Sequence, residues 1–171
     1  DTPAAGGPFI LSISSKGKKE IVLEDVLSGE VWLCSGQSNM ELNLIGGTSQ
    51  GVEGSYEQIA QAPQYSSSIR FYDIKSGKAF EPQENADCKW ELTSGEVAAK
   101  VSAVGYLFAK RLTQTLGVPV GIISNPWGGC LLPPWLNEEY MEKYVKGQIP
   151  DAAYQAILER RDAPDPDRNA P

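Results

Sequence analysis

The chain has 171 residues, 41% hydrophobic and 22% charged, a net charge of −7 and no histidine. That is one domain's worth of polypeptide, long enough to bury a core. It lacks the basic stripe of a nucleic-acid binder and any apolar run near the ~18 residues that a membrane span requires, so neither a nucleic-acid partner nor a spanning helix is expected.

The first seven residues, Asp1 to Gly7, have no basic start and no apolar segment, so no signal peptide is visible. A secreted or periplasmic location is the expectation. From Phe9 to Ser15, apolar residues Phe9, Leu11 and Ile13 alternate with Ile10, Ser12 and Ser14, which predicts a strand. Lys16 to Glu20 reads as a solvated turn, and Ile21-Val22-Leu23 starts a second strand, giving a hairpin over residues 1–28 at the edge of an upstream β domain. Glu30 to Cys34 is a short apolar run that stops at Ser35-Gly36-Gln37-Ser38-Asn39, the pattern of a buried strand entering a turn. A helix is expected around Tyr56 to Ala62, stopped by Pro63, and a strand at Ile69 to Ile74. The clearest helix is predicted as one piece from about Ala98 to Leu116, with Val101, Val104, Leu107, Phe108, Leu112 and Leu116 on its buried face. Gly117 and Pro119 end it. Val118 to Ile123 then reads as a buried strand and Ser124 to Gly129 as an irregular loop. Asn137 caps a helix through Val145, a further helix covers about Asp151 to Arg161, and a Pro- and Asp-rich tail over residues 162–171 reads as mobile. Strand, long helix, strand and glycine-rich loop in that order predict an α/β fold with a mostly parallel sheet and right-handed crossovers, cut short of the strand number such sheets carry.

Three cysteines, Cys34, Cys88 and Cys130, are an odd count without a CxxC pair. Buried free thiols are the expectation, one disulfide is the alternative, and a zinc site would lack its usual ligand spacing. Ser38 follows a buried strand at a turn, which exposes a hydroxyl and points backbone N–H groups at the same place. Without a base, that hydroxyl is a poor nucleophile. Gly128 and Gly129 follow the later strand and allow close approach of backbone to a ligand. Two such loops at neighbouring strand ends of one parallel sheet converge on one crevice. Trp127 and Trp135 are suited either to stack on a sugar or to pack; Trp32 and Trp90 are assigned to packing. Asp25, Asp73 and Asp87 are assigned to solvated or turn positions.

The run Gly29-Glu30-Val31-Trp32-Leu33-Cys34-Ser35-Gly36-Gln37-Ser38-Asn39-Met40 resembles the nucleophile block of the sialate O-acetylesterase family, within the SGNH hydrolases. Ser102 to Phe108 is similar to the family's long helix, and Gly117 to Ile123 followed by Trp127-Gly128-Gly129 to its second block. Gly6-Gly7-Pro8-Phe9 and Asp25-Val26-Leu27 resemble its lead-in, so the likeness runs in order over roughly residues 6–135. The resemblance implies a three-layer α/β/α flavodoxin-like sheet, with the esterase portion over residues 29–161. It implies hydrolysis of acetyl esters on sugars, sialic acid especially, with no metal and no organic cofactor. It makes Ser38 the nucleophile, places the Ser38, Gly128 and Gly129 amides at the oxyanion, and draws Gln37, Asn39, Trp127 and Trp135 toward the pocket.

Two departures stand out. The family's catalytic histidine and aspartate, and a Gly-Glu-Ser-Asn block, are absent here, so the remainder of the polypeptide or a second chain is the expected source of the histidine and aspartate. After the double glycine the sequence is Cys130-Leu131-Leu132-Pro133-Pro134-Trp135, with Pro133 where the family has Glu. The alternatives to a serine acetylesterase are a catalytically inactive carbohydrate-binding scaffold and an acetyl xylan-type polysaccharide deacetylase.

Overall fold

A computed structural model describes residues 2–46, 51–74, 84–86, 88–132 and 135–162, with backbone alone for 160–162. The described residues divide into two compact units, one from 1–75 and 87–128, the other from 76–86 and 129–171.

The first unit opens with strands β1 (Gly6–Ile13) and β2 (Ile21–Ser28), an antiparallel two-stranded sheet in which Leu11 faces Leu23 and Ile13 faces Ile21. The expected turn between them is present, with Lys18 N–H donating to the Ser15 carbonyl at 3.0 Å. A four-stranded sheet follows, built from β3 (Glu30–Gly36), β4 (Ile69–Asp73), β5 (Trp90–Leu92) and β6 (Val120–Pro126) in the order β3-β6-β4-β5. Strands β3, β6 and β4 are parallel and β5 runs antiparallel at the edge. The mixed, mostly parallel sheet with its lead-in hairpin therefore matches expectation. The β-rich hairpin and the sheet are tied together by Arg70, whose guanidinium donates to both carboxylate oxygens of Asp25 at 3.0 and 3.2 Å. Asp25 is thus an ion-pair partner rather than only a solvated turn residue.

Helices α1 (Ser38–Glu41), α2 (Ser55–Gln61), α3 (Gly95–Lys100) and α4 (Ala103–Leu116) complete the unit, with a 3-10 turn at Ala62–Tyr65 where Pro63 ends α2. The predicted single helix from Ala98 is two helices. The Ser102 hydroxyl accepts the Gly105 N–H at 3.1 Å and caps a new helix, while Val101 is extended at φ −77°, ψ 169°. Serine at an N-cap satisfies an amide that would otherwise have no partner, which favours a restart over continuation. Gly117 ends α4 in the left-handed conformation, as expected.

The buried face is the predicted one only in part: Val101 is buried and Leu112 packs half-buried against the core. Ala103, Gly105, Tyr106 and Ala109 are buried, whereas Val104, Leu107, Phe108 and Leu116 are exposed. Small residues let α4 lie close to the sheet: a Cβ at Gly105 would already touch Ile122 Cγ2 at 3.5 Å. The core comprises Leu44, Ile69, Phe71, Val101, Tyr106, Val120 and Ile122 with neighbouring alanines. All of it lies on one face of the sheet, since side chains alternate along each strand. On the other face Val31 and Leu33 are 60% and 66% exposed, and Trp90 lies over Gly121 and against Tyr72 at 5.4 Å. Trp32 packs edge-on against Phe108 at 5.2 Å, in the packing role expected for both tryptophans.

The strand β6 extends further than predicted. Ser124, Asn125 and Pro126 pair with Cys34, Ser35 and Gly36, so the irregular loop starts at Trp127. Proline is tolerated as the last residue of a strand, where the ladder ends.

In the second unit, α5 (Glu138–Tyr144) and α6 (Asp151–Asp162) occupy the predicted segments. Asn137 Oδ1 accepts the Tyr140 N–H at 2.9 Å, the cap expected there. Asp87, Pro133, Pro134 and the tail after Asp162 lie outside the described residues.

Candidate active site

The apolar run of β3 ends at Gly36, whose φ of 146° is a value that glycine adopts freely. Gln37 is extended and becomes the N-cap of α1, making Ser38 its first residue. The Met40 and Glu41 N–H groups bond back to the Gln37 carbonyl at 2.9 and 3.0 Å. The Ser38 and Asn39 amides come before the first turn closes, so they have no acceptor inside the helix. Gln37, Ser38 and Asn39 are all exposed.

Four contacts hold this turn in place. The Ser35 hydroxyl donates to the Asn125 carbonyl at 2.9 Å, and the Trp127 N–H donates to the Gly36 carbonyl at 2.8 Å. These two bonds lock the loop after β6 to the end of β3. From the other side, the Ser102 hydroxyl meets Met40 Sδ at 3.3 Å, and the Ala103 N–H donates to the Leu42 carbonyl at 2.8 Å, fixing α1 to the start of α4. Gly128 lies directly against the turn. A Cβ at Gly128 would stand 3.5 Å from Ser38 Cα and would collide with Glu41 Oε2. Only a residue without a side chain lets those three groups share the space.

Burial pushes the Cys34 thiol up from its ordinary value. It therefore stays protonated at neutral pH. No histidine exists in the chain to take the Ser38 proton. Among the described residues, no three His, Cys, Asp or Glu side chains converge as metal ligands. Cys34, Cys88 and Cys130 are each half-buried rather than fully buried, and Cys34 and Cys88 are free thiols.

The predicted residues Gln37, Ser38, Asn39, Trp127 and Gly128 therefore sit in one neighbourhood of the first unit. Trp127 and Gly128 are half-buried there. Gly129 and Trp135 belong to the second unit, where Gly129 has a φ of 70° and the Trp135 N–H donates to the Leu132 carbonyl at 2.9 Å. Glu41 was not singled out from the sequence. Its spacing carried the signal: three residues after Ser38 on a helix is the same face.

The family model described as carbohydrate esterase, sialic acid-specific acetylesterase, matches residues 28–165. A sialate O-acetylesterase of Mus musculus is 32% identical over 153 residues, covering 83% of this chain and 27% of that protein. One of Homo sapiens is 30% identical over 146 residues, covering 79% of this chain and 27% of that protein. A crystal structure of a carbohydrate acetylesterase from Xanthomonas citri superposes with a TM-score of 0.71 at 32% identity, covering 81% of this chain and 30% of that one. The chain thus spans about a quarter of the length of these relatives.

Proposed function

The chain belongs to the sialic acid-specific acetylesterase family of carbohydrate esterases, and from that membership we propose that it carries the nucleophile half of a serine esterase that removes O-acetyl groups from carbohydrate, with acetylated sialic acid as the substrate. Ser38 Oγ attacks the acetyl carbonyl. An imidazole from the remainder of the polypeptide, or from a second chain, takes the Ser38 proton and is itself oriented by an aspartate. Negative charge develops on the carbonyl oxygen, and the Ser38 and Gly128 N–H groups donate to it. The tetrahedral intermediate collapses as the imidazolium gives its proton to the departing sugar oxygen. Water, deprotonated by the same imidazole, then attacks the acetyl-Ser38 ester, and as the bond to Ser38 Oγ breaks the imidazolium returns its proton to that oxygen and acetate departs.

The observation that carries this reading is the exposed Ser38 just beyond the end of the parallel strand β3, its Cα 3.5 Å from where a Gly128 Cβ would be; β3 itself is exposed to half-buried rather than the buried strand that the sequence suggests. Replacing Ser38 by Ala in the complete esterase tests it. Release of acetate from an O-acetylated sugar falls by several orders of magnitude, while the melting temperature hardly moves, since Ser38 is an exposed residue whose side chain makes no hydrogen bond among the described residues. Activity retained at the wild-type level refutes the proposal.

The run Cys130-Leu131-Leu132-Pro133-Pro134 after the double glycine, with Pro133 where the family has Glu, supports a second reading, a scaffold that binds acetylated carbohydrate without turnover. Binding of the acetylated sugar without acetate release, in a complete protein that fails to react with a serine-directed phosphonate, favours that reading over the first.

A further inference from the structure

We propose that Glu41 forms a sugar-hydroxyl subsite beside the nucleophile, so that it selects the carbohydrate part of the substrate rather than its acetyl group. This rests on the assignment of Ser38 as the reacting residue. Glu41 ends the four-residue helix that Ser38 begins, one turn along the same face. Its Oε2 lies against the Cα of Gly128, closer than any side chain at that position would permit. The carboxylate is therefore at the junction of the two loops, beside the Ser38 backbone that the same Gly128 position approaches. It is exposed, and it makes no hydrogen bond or ion pair with any described residue.

An ionised carboxylate accepts hydrogen bonds and donates none. A negative charge there does not stabilise an oxyanion, so its useful partner is a donor. The donors that an acetylated sugar brings to this place are the free hydroxyls flanking the ester, and hydrogen bonds to a charged acceptor are stronger than those between neutral groups. A simple aryl acetate has the same reacting carbonyl and no such hydroxyls. Glu41 therefore separates the two substrates.

The test compares Glu41→Ala and Glu41→Gln with wild type in the complete esterase, on an O-acetylated sugar and on 4-nitrophenyl acetate. In Glu41→Ala, kcat/KM for the sugar ester falls about tenfold or more relative to its change on the aryl ester, the scale of one lost hydrogen bond to a charged acceptor. The loss resides in KM. Glu41→Gln, which keeps one acceptor oxygen, recovers part of it. Equal losses on both esters, or a loss in kcat alone, overturn the subsite and leave Glu41 as a support for the Ser38 turn. Should the wild-type protein turn over neither ester, the catalytic reading fails separately, and calorimetric binding of the acetylated sugar decides the subsite. Weaker binding by Glu41→Ala upholds it, and unchanged binding overturns it.

Discussion

Glycine 128 and glycine 29 make the same demand on space with different consequences. A Cβ at Gly29 would collide with the Pro119 carbonyl, a backbone group already accepting the Glu30 N–H at 3.0 Å. Neither partner can move without breaking the entry of β3 into the sheet. Gly29→Ala is expected to destabilise the fold by about 2 to 3 kcal/mol, measured by denaturant titration. At Gly128 the obstacle is the end of the flexible Glu41 side chain, and φ there is not in the left-handed region. Gly128→Ala is expected to cost under about 1 kcal/mol of stability, because a side chain can swing away where backbone cannot. It displaces the Glu41 carboxylate all the same, so the sugar ester should suffer more than the aryl ester. A Gly29→Ala variant as stable as wild type, or a Gly128→Ala variant that unfolds, would contradict this account of the two positions.

The elements were legible from sequence to different degrees, and helix α4 shows why. Its position and its C-terminal glycine followed from local chemistry, but its buried face did so only in part. Large apolar residues at helical spacing pointed outward, and the core side is Ala103, Gly105, Tyr106 and Ala109. Hydrophobic periodicity weights side-chain size, whereas close helix-on-sheet packing selects small residues, and only the neighbouring sheet shows which rule applies. The break before α4 was hidden for a similar reason: Ser102 is an ordinary helix residue unless its hydroxyl finds the Gly105 amide. Ser102→Ala should cost about 1 kcal/mol through the lost cap, read by thermal melting. Tyr106, on the buried side, gives a pH test. Desolvation, then the nearby Tyr65, pushes its phenol up to about 12 from 10.0. The unfolded chain ionises first, so this contribution is whole below pH 10 and is lost as pH rises from about 10 to about 12. Tyr106→Phe should flatten that alkaline fall while sacrificing the 3.2 Å bond to the Gln58 carbonyl, about 1 kcal/mol at neutral pH. An alkaline limb unchanged in Tyr106→Phe would assign it elsewhere.

At the scale of the whole molecule, the Ser38 turn and the double-glycine segment were readable because each sits in a short, chemically distinctive string. Glu41 was missed because its meaning depends on Gly128, 87 positions along the chain and adjacent only once β3 and β6 pair. Among the described residues, helices cover one face of the sheet. Its other face presents Val31 and Leu33 on β3, a strand with one neighbour among the described residues. Parallel sheets are ordinarily covered on both faces, and open edges invite association. Leu33→Lys should therefore raise the monomeric fraction of the 171-residue chain in light scattering, while destabilising the complete esterase by about 2 kcal/mol if more of that polypeptide covers the face. The same sign in both would mean that the face stays bare.

The most direct measurement is peptide mapping by mass spectrometry after the complete esterase reacts with a fluorophosphonate. The account predicts a single stoichiometric adduct on the peptide containing Ser38, blocked by prior incubation with the acetylated sugar. An adduct on a different serine, in an enzyme that loses its acetylesterase activity as that serine is labelled, would contradict it.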